Sequence, residues 1–326
     1  MICTYLRSSS YNGYQSCAHQ YFMEYVLGLE SQTNKRAVMG TMVHKALEIL
    51  AVEKLARQKK EKTYEDSVVG KRKLDSLTAD ELMVSSYNYY AGKYDYHVWE
   101  KADLTECLRL MNLTLDYGDG MFDPRKKEIL YPEYFFNIEF TENWAKYRYV
   151  LPDDSVIEGH LSIKGTVDLV TVVDKDTIEV TDWKTGQRKN WFTNKKKTYE
   201  DLCKDPQLRL YHMALSEAFP QYKTILLTVF FVKDGGPFSI PFTREDIPET
   251  KKLIRKRYLA IKSDNLPLLN KGYHCKSFCF FGKNNFPGEN KTICESIHSD
   301  LKNEGMDKTM EKHMDEYKFV YANPGE

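Results

Sequence analysis

This chain of 326 residues is expected to be an α/β protein, on three observations. Residues Gly159 to Gly186, GHLSIKGTVDLVTVVDKDTIEVTDWKTG, read as two β-strands joined by the polar turn DKDT. Val167, Leu169, Val170, Val172 and Val173 fill the first strand, Ile178 and Val180 lead the second, and β-branched residues suit a pleated surface. Residues 38 to 59 set Met39, Val43, Ala46, Leu47 and Leu50 on one helical face, with Lys, Arg and Glu gathering towards the end. Asp205 then opens another helix, as an N-cap with Pro206 at the first helical position, ahead of the strand-like run ILLTVFFV from Ile225 to Val232. Strands and amphipathic helices alternating along one chain point to a sheet covered by helices.

Taken in order, residues 4 to 29 read as a serine-rich cap and a helix, with Tyr14, Cys17, Tyr21, Tyr25 and Leu29 at helical spacing and Gly28 near its end. In helix 38 to 59, His44 lies beside the apolar stripe, one turn from Gly40: a core-edge histidine bonded to a carbonyl, or a neutral imidazole open to a metal. Residues 60 to 79 are polar and read as a surface loop. From Asp80 to Gly118 the chain is helical again, with Leu82, Tyr89, Tyr90, Trp99, Leu104, Leu108 and Leu115 available for packing. Its tyrosines, Tyr87, Tyr89, Tyr90, Tyr94 and Tyr96, either pack a helical layer or stack on single-stranded bases. Residues 128 to 151 begin the sheet with two aromatic strands, ILYPEYFFNIEF and WAKYRYVL, and the turn from Pro152 to Ser155 leads towards the hairpin.

Beyond Gly186, QRKNWFTNKKKTYED sets Arg188, Lys189, Lys195, Lys196 and Lys197 around Trp191 and Phe192, a solvated loop or a contact to phosphates and bases. Gln207 and Tyr211 stand i and i+4 on the helix that Asp205 opens, and Gln207 lies in its first turn, where free N–H groups favour an anion. Helix 245 to 262 carries a second basic surface, Lys251, Lys252, Arg255, Lys256 and Arg257. The last thirty residues are highly charged, a peripheral helix or a mobile tail.

Bulk properties bound the rest. A chain of this length buries a core readily, as one elaborated domain or two small ones. Lys+Arg and Asp+Glu are equal at 47 each, so net charge gives no global argument for nucleic acid, and contact with DNA needs local basic patches. No run of ~18 apolar residues occurs and MICTYLRSSS has no signal-peptide core, so neither a membrane span nor secretion is expected. Seven cysteines, an odd number without a secretory signal, point to reduced thiols or metal ligation in a soluble protein inside a cell.

The hairpin carries the chemistry. A turn about Lys175 sets Asp168 opposite Asp182, and Lys184, two residues on, projects from the same face as Asp182. Two carboxylates at that range repel unless something compensates them. A hard divalent cation does so, since Mg²⁺ takes oxygen ligands and needs only one or two carboxylates. A protonated lysine is no ligand, but it can hold a metal-bound water or a phosphate oxygen and assist formation of hydroxide. Alone, D-x-K is far more often an ordinary exposed ion pair on a strand.

Five patterns in one order resemble the RecB-like branch of the PD-(D/E)XK nucleases. They are M-G-T-M-V-H-K-A-L (Met39 to Leu47), similar to its helical histidine motif; Pro132-Glu133-Tyr134-Phe135, similar to its glutamate-bearing strand, with Glu139 as the alternative acid; G-x-x-D (Gly165 to Asp168); D-W-K-T-G (Asp182 to Gly186); and Q-x-x-x-Y (Gln207 to Tyr211). The serine-rich start, Cys17 and Y-x-x-x-Y also look like the amino-terminal cysteine segment of cluster-bearing RecB-like exonucleases, whose other three cysteines lie near the carboxy terminus.

The resemblance implies a restriction-endonuclease-like α/β fold, with a central mixed sheet flanked by helices, a helical insertion and a C-terminal cysteine segment. Laid on this chain, it implies a single nuclease domain over 1–326: an N-terminal helix with its cysteine at 1–30, the insertion at 60–125, the catalytic core at 128–262, the cysteine segment at 270–296 and a charged tail at 297–326. It further implies Mg²⁺ or Mn²⁺ on Asp168, Asp182 and His44, water positioned or activated by Lys184, and Glu133 as an accessory acid. Gln207, Tyr211, Arg188 and Lys189 would hold the DNA strand. Cys17, Cys275, Cys279 and Cys294 would hold a [4Fe–4S] cluster, although the gap before Cys294 is longer than in the relatives. Zinc is the competing metal, with His274 as a substitute ligand. Cys3, Cys107 and Cys203 receive no role.

The function so implied is a metal-dependent DNA exonuclease acting on ends in recombination, repair or phage DNA metabolism, similar to CRISPR-associated and phage exonucleases. It would work in the cytoplasm of a bacterium or a phage-infected host cell, with a partner in a recombination or replication complex. The alternatives are a non-catalytic DNA- or protein-binding module, which gives no reason to tolerate the cluster of Asp168, Asp182 and Lys184, and a structural protein stapled by a cysteine-bound metal.

Overall fold

The computed structural model describes residues 1–61, 66–70, 72–189, 195–234 and 236–314, and the backbone alone of Tyr273 and His274. Trp191 and Phe192, the side chain of His274 and the end of the charged tail therefore lie outside the described residues. The chain forms two compact units: Met1–Gln32 with Phe136–Gly165 and Pro248–Glu326, and Thr33–Phe135 with Thr166–Ile247.

The strands are β1 (Tyr5–Leu6), β2 (Ile129–Glu139), β3 (Lys146–Val150), β4 (Val156–His160), β5 (Ser162–Val172), β6 (Thr177–Lys184), β7 (Thr224–Phe231) and β8 (Gly236–Thr243). The helices are α1 (Ser8–Ser16), α2 (Ala18–Tyr21), α3 (Lys35–Lys59), α4 (Ala79–Lys93), α5 (Lys101–Asp116), α6 (Tyr199–Cys203), α7 (Pro206–Ala218), α8 (Ile247–Ser263), α9 (Tyr273–Ser277), α10 (Ile293–Glu304) and α11 (Met306–His313). None of these helices is long and apolar enough to cross a membrane.

In the second unit β5 and β6 form the expected hairpin. Leu169 pairs with Thr181, Val170 with Val180, Thr171 with Glu179 and Val172 with Ile178, a register that one step further faces Asp168 towards Asp182. β6 runs parallel to β7 from Thr177↔Thr224 to Lys184↔Phe231, while β7 and β8 are antiparallel, so the sheet is mixed. A parallel pair needs a crossover, and α6 and α7 supply it. β6 is buried almost without interruption because it is covered on both faces, which explains why its apolar pattern does not simply alternate. At the sheet's edge, Pro237 and Pro241 of β8 have no N–H to offer a further strand.

α3, α4 and α5 cover one face. Val38, Met42, Val43, Ala46, Leu47 and Leu50 of α3 pack with Leu82 and Met83 of α4, Leu110 and Met111 of α5, and Leu169, Trp183 and Phe230 from the sheet. Two expectations change here. The helical stretch 80–118 is two helices, because the chain leaves helical geometry at Tyr94, whose carbonyl accepts from Trp99 Nε1 at 3.0 Å. The polar loop 60–79 also contributes Val68, Val69 and Leu74 to the core, three apolar residues hidden by their charged neighbours. The tyrosines mostly pack on one another, Tyr90 stacking on Tyr94 and Tyr87 lying edge-on to Trp99, with Tyr89 and Tyr96 left exposed.

On α7, His212 is completely buried and stacks on Phe242 of β8 with ring centroids 5.1 Å apart. Burial pushes its pKa down to about 4. The folded protein therefore holds this ring neutral, while the unfolded chain takes up a proton near the ordinary 6.5. The stabilisation is fully present above that value and drains away as pH falls towards 4, by on the order of 3 kcal/mol. Urea unfolding at pH 7 and pH 4.5 tests this. His212→Phe is expected to lose clearly less stability between the two than wild type, and an identical loss would exclude His212 as the cause.

The first unit departs further from expectation. The single helix foreseen over 4–29 is broken at Cys17, whose φ of −158° and ψ of 105° are extended, leaving β1, α1, α2 and a π-helical turn over Phe22–Val26. Tyr21, Phe22, Met23 and Val26 are all buried, with Glu24 and Tyr25 between them half-buried, so the segment buries more than one stripe. It ends at Gly28, whose φ is +71°. The aromatic run WAKYRYVL does not begin the central sheet. Its strand β3 pairs with β4, from Lys146↔His160 to Val150↔Val156, as a separate two-stranded sheet, around a turn with Asp154 at φ +65°. β1 pairs in parallel with the start of β5. The described part of the charged tail is helical, and Asp300 of α10 accepts from Lys312 at 2.9 Å and lies 2.7 Å from His313 Nε2, both on α11.

Candidate active site

The candidate residues His44, Glu133, Asp168, Asp182, Lys184, Gln207 and Tyr211 all fall within the second unit, while Gly165, the first residue of G-x-x-D, closes a segment of the first. Asp168 stands on β5, and Asp182 and Lys184 stand on β6 beside it. Strand alternation sends Leu169, Thr181 and Trp183 to the face covered by α3 and leaves Asp168, Asp182 and Lys184 on the other. The backbone N–H of Trp183 donates to Asp168 Oδ2 at 2.9 Å, tying the two strands together at the acid pair. Lys184 Nζ lies 3.0 Å from Asp182 Oδ1 and 2.7 Å from Oδ2.

α3 delivers His44, whose Nδ1 is 3.4 Å from Asp168 Oδ2 and whose ring sits edge-on to Trp183. Gly40, one turn earlier, allows this approach: a Cβ there would lie 2.9 Å from Thr185 Oγ1, at the end of β6. Gly40→Val is therefore expected to push α3 off the strand end and lower turnover about tenfold or more through a misplaced His44, with helix content by circular dichroism unchanged. Full activity in that variant would remove His44's placement from the requirements of the site.

α7 brings Gln207 and Tyr211. Its start is as expected: Asp205 accepts from the Gln207 N–H at 2.9 Å and Pro206 fills the first position. Gln207 Oε1 accepts from Lys184 Nζ at 3.0 Å, while its Nε2 donates to Asp182 Oδ1 at 3.2 Å and to Tyr211 Oη at 2.7 Å. Glu133 on β2 follows Pro132 and has a left-handed backbone, φ +46°. A non-glycine residue there stores strain, a feature that concentrates at functional sites. The alternative acid, Glu139, lies in the first unit, 3.7 Å from His160 Nδ1.

Arg188 is not aimed at open surface. Its Nη1 donates to the Lys197 carbonyl at 3.0 Å and its guanidinium lies 4.6 Å over the Phe238 ring, while its backbone N–H donates to Asp234 Oδ2 at 2.6 Å. The backbones of Lys189 and Lys196 pair in an isolated antiparallel bridge, the Lys196 ammonium reaches Asp234 at 3.4 Å, and that of Lys197 reaches Asp205 at 2.7 Å. Much of this basic loop's charge thus holds the loop itself.

Electrostatics follow from burial. Asp182 is 2% exposed, and burial pushes its carboxyl up despite Lys184. Burial acts the same way on Asp168, but the charges of His44 and Lys184 and the Trp183 N–H outweigh it and hold Asp168 down. Burial would lower His44, yet Asp168 beside it raises the ring to about 9. Lys184 is likewise raised, Asp182 and Asp168 overcoming its desolvation. Glu133 is pushed up to about 8, first by burial and then by Asp168 and Glu48. Glu48 stands i+4 from His44 on α3, and Lys45 lies within the Met39–Leu47 pattern beside it. Lys45 Nζ bridges Glu48 Oε1 at 2.8 Å and Asp66 Oδ2 at 2.9 Å.

Among the described residues, no three His, Cys, Asp or Glu side chains stand gathered at metal-binding range. The carboxylate oxygens are held instead by Lys184, His44 and Gln207. The donor chemistry nonetheless fits a hard divalent cation: two buried carboxylates on adjacent strands, with an imidazole beside one of them.

A family model described as the PD-(D/E)XK nuclease superfamily matches residues 8–282. The chain belongs to that superfamily. Among solved structures, it is similar to a candidate exonuclease from Eubacterium rectale at 11% identity, over 79% of this chain and 80% of that one, with a TM-score of 0.46. No curated protein matches it. In this PD-(D/E)XK chain the second half of the pattern reads Asp182-Trp183-Lys184. Val167-Asp168 precedes it on β5.

The first unit of this PD-(D/E)XK protein holds the four cysteines. Cys17 sits at the break between α1 and α2, Cys275 in α9, Cys279 just beyond it and Cys294 in the first turn of α10. All seven cysteines are free thiols. Cys17 Sγ points at the Leu268 carbonyl, 3.9 Å away, and Cys275 Sγ at that of Asn270, 3.2 Å away. Burial raises Cys279 and pushes Cys294 up to about 12, and in both the neighbouring thiols, Cys17 and Cys275 among them, add to the rise. The four therefore share one neighbourhood without forming a closed metal cage. Backbone N–H groups of Gly282 and Phe281 favour the thiolate of Cys279. Gly282 is needed for this packing, since a Cβ there would lie 2.7 Å from the Cys275 carbonyl oxygen. Soft thiols with N–H donors suit iron–sulfur or zinc chemistry.

Proposed function

We propose that this PD-(D/E)XK protein is a metal-dependent deoxyribonuclease that removes nucleotides from DNA ends. The observation that carries the reading is the convergence of half-buried Lys184 and His44 on two buried carboxylates, Asp168 and Asp182, which a binding role gives no reason to maintain. Asp168, Asp182 and His44 would hold Mg²⁺ or Mn²⁺. Such an ion polarises a phosphoryl oxygen and makes bound water acidic enough to attack at neutral pH. Lys184, kept positive by the two aspartates, holds the attacking water or a phosphate oxygen in place. Glu133, neutral near pH 7, avoids adding a third negative charge and keeps an O–H to donate.

The four cysteines of the first unit would hold a [4Fe–4S] cluster, with zinc as the alternative. DNA is the substrate, in recombination, repair or phage DNA metabolism in the cytoplasm, alongside a protein partner.

The deciding experiment incubates anaerobically prepared protein with Mg²⁺ or Mn²⁺ and end-labelled linear or closed circular DNA, beside Lys184→Ala and an EDTA control. Metal-dependent loss of linear DNA alone, abolished by the substitution, is the expected result. Cutting of circles makes the protein an endonuclease. Binding without cleavage makes it a non-catalytic module. Brown colour, with a broad absorbance lost in Cys279→Ser, identifies the cluster, whereas a colourless protein releasing zinc identifies the alternative.

A further inference from the structure

We infer that Gln207 is a positioning residue that holds the Lys184 ammonium over the acid pair, and not a contact to the DNA strand. The inference rests on the nuclease reading for its consequence and on geometry for its content. A primary amide has two N–H donors and one carbonyl acceptor. Both donors of Gln207 are used within the site, one on Asp182 Oδ1 and one on Tyr211 Oη. Its carbonyl accepts from Lys184. The network itself fixes the amide's orientation: an ammonium can only donate and a carboxylate can only accept, so the carbonyl must face Lys184 and the NH₂ group Asp182.

Phosphate oxygens are acceptors. An amide with both N–H groups committed offers them nothing unless a bond inside the site breaks, leaving a buried oxygen of Asp182 or Tyr211 without that donor.

Lys184 needs such a partner. Its four-carbon stem carries freely rotating donors, and holding them in one place costs conformational entropy. Asp182, two residues away on the same strand, takes the ammonium with both oxygens. Those are the oxygens that would turn to a divalent cation. The Gln207 carbonyl, reaching over from α7, is then the contact that still fixes the ammonium. α7 places it firmly, because Asp205 and Pro206 set the first turn and Lys197 braces Asp205.

Gln207→Glu and Gln207→Leu separate the two roles. Glutamate keeps an acceptor towards Lys184, loses both donors and adds negative charge; leucine keeps the bulk and loses everything polar. Each variant is first checked by circular dichroism melting, and its cation affinity is measured by calorimetry so that all proteins are compared at saturating Mg²⁺. If Gln207 positions Lys184, Gln207→Leu loses about tenfold or more in kcat with KM for DNA unchanged, and Gln207→Glu retains more activity than Gln207→Leu. A strand contact predicts the reverse: Gln207→Glu is the worse enzyme, and KM and the DNA Kd measured with Ca²⁺ rise in both. That result would overturn the inference.

A readout independent of catalysis is acylation of Lys184 by an amine-selective reagent in metal-free protein, followed by peptide mass spectrometry. Acylation is expected to rise severalfold in Gln207→Leu and little in Gln207→Glu. Equal rates in all three proteins remove the positioning role. A clear difference in rates, with wild type inactive on DNA, would sink the nuclease reading while leaving the link between Gln207 and Lys184 intact.

Discussion

Asp182→Asn is expected to lower metal-dependent cleavage of linear DNA by at least about a thousandfold, in line with the loss of a central charged group in other hydrolytic sites. The side chain keeps its shape and its place on β6, so the effect isolates the charge. Two readouts should move together. Wild type should gain stability from Mg²⁺, by roughly 2.7 kcal/mol at a hundredfold excess over Kd, whereas Asp182→Asn should gain almost none. Without metal the substitution should change unfolding little. It removes the ion pair with Lys184, 2.7 Å away, but also the penalty of burying a carboxylate that is 2% exposed, and these oppose each other. Activity within tenfold of wild type, with an unchanged metal-induced shift in Tm, would remove Asp182 from the centre of the site.

Why some of this site can be read from sequence and some cannot is a matter of range. The β5–β6 hairpin is legible because the turn is short: once DKDT is the turn, register follows, and with it the facing of Asp168 and Asp182. The start of α7 is legible because Asp205 and Pro206 act on their immediate neighbours. The partners of Gln207 are not, since Lys184 and Asp182 reach it only through the β6–α7–β7 crossover, and its first-turn position points equally to an anion. Sequence period also says that WAKYRYVL is a strand without saying which strand it joins, and Gly159 within β4 hides that strand at the head of the hairpin sequence. Arg188 reads as a phosphate contact because its charge is visible in the sequence and the partners of its guanidinium, the Lys197 carbonyl and the Phe238 ring, are not. The left-handed backbone of Glu133 leaves no local trace, as no glycine marks it. Its strained backbone and its half-buried carboxyl, pushed up by desolvation and by Asp168, are the structural observations that bear on Glu133 beyond the Pro132-Glu133 pattern.

The residue between the two charged members of the D-x-K pattern carries the other large effect. Trp183 is fully buried, packs with Val43, Leu47 and Phe230, and lies edge-on to His44 with ring centroids 6.2 Å apart. Trp183→Ala should cost about 3–5 kcal/mol of unfolding free energy, since α3 and the sheet cannot collapse fully into the space of an indole. It should also weaken the site by withdrawing the ring against which His44 rests, so activity is expected to fall even at temperatures where the variant remains folded. Trp183→Phe makes the contrast sharp. It keeps an aromatic face and deletes an indole N–H that is buried without a hydrogen-bond partner, so part of the lost packing is offset and the cost should be nearer ~1 kcal/mol. Urea unfolding of the three proteins, followed by tryptophan-independent circular dichroism, measures both differences. If Ala and Phe cost the same, the volume of Trp183 is not what joins α3 to β6, and His44 must be held in place by Gly40 and Asp168 alone.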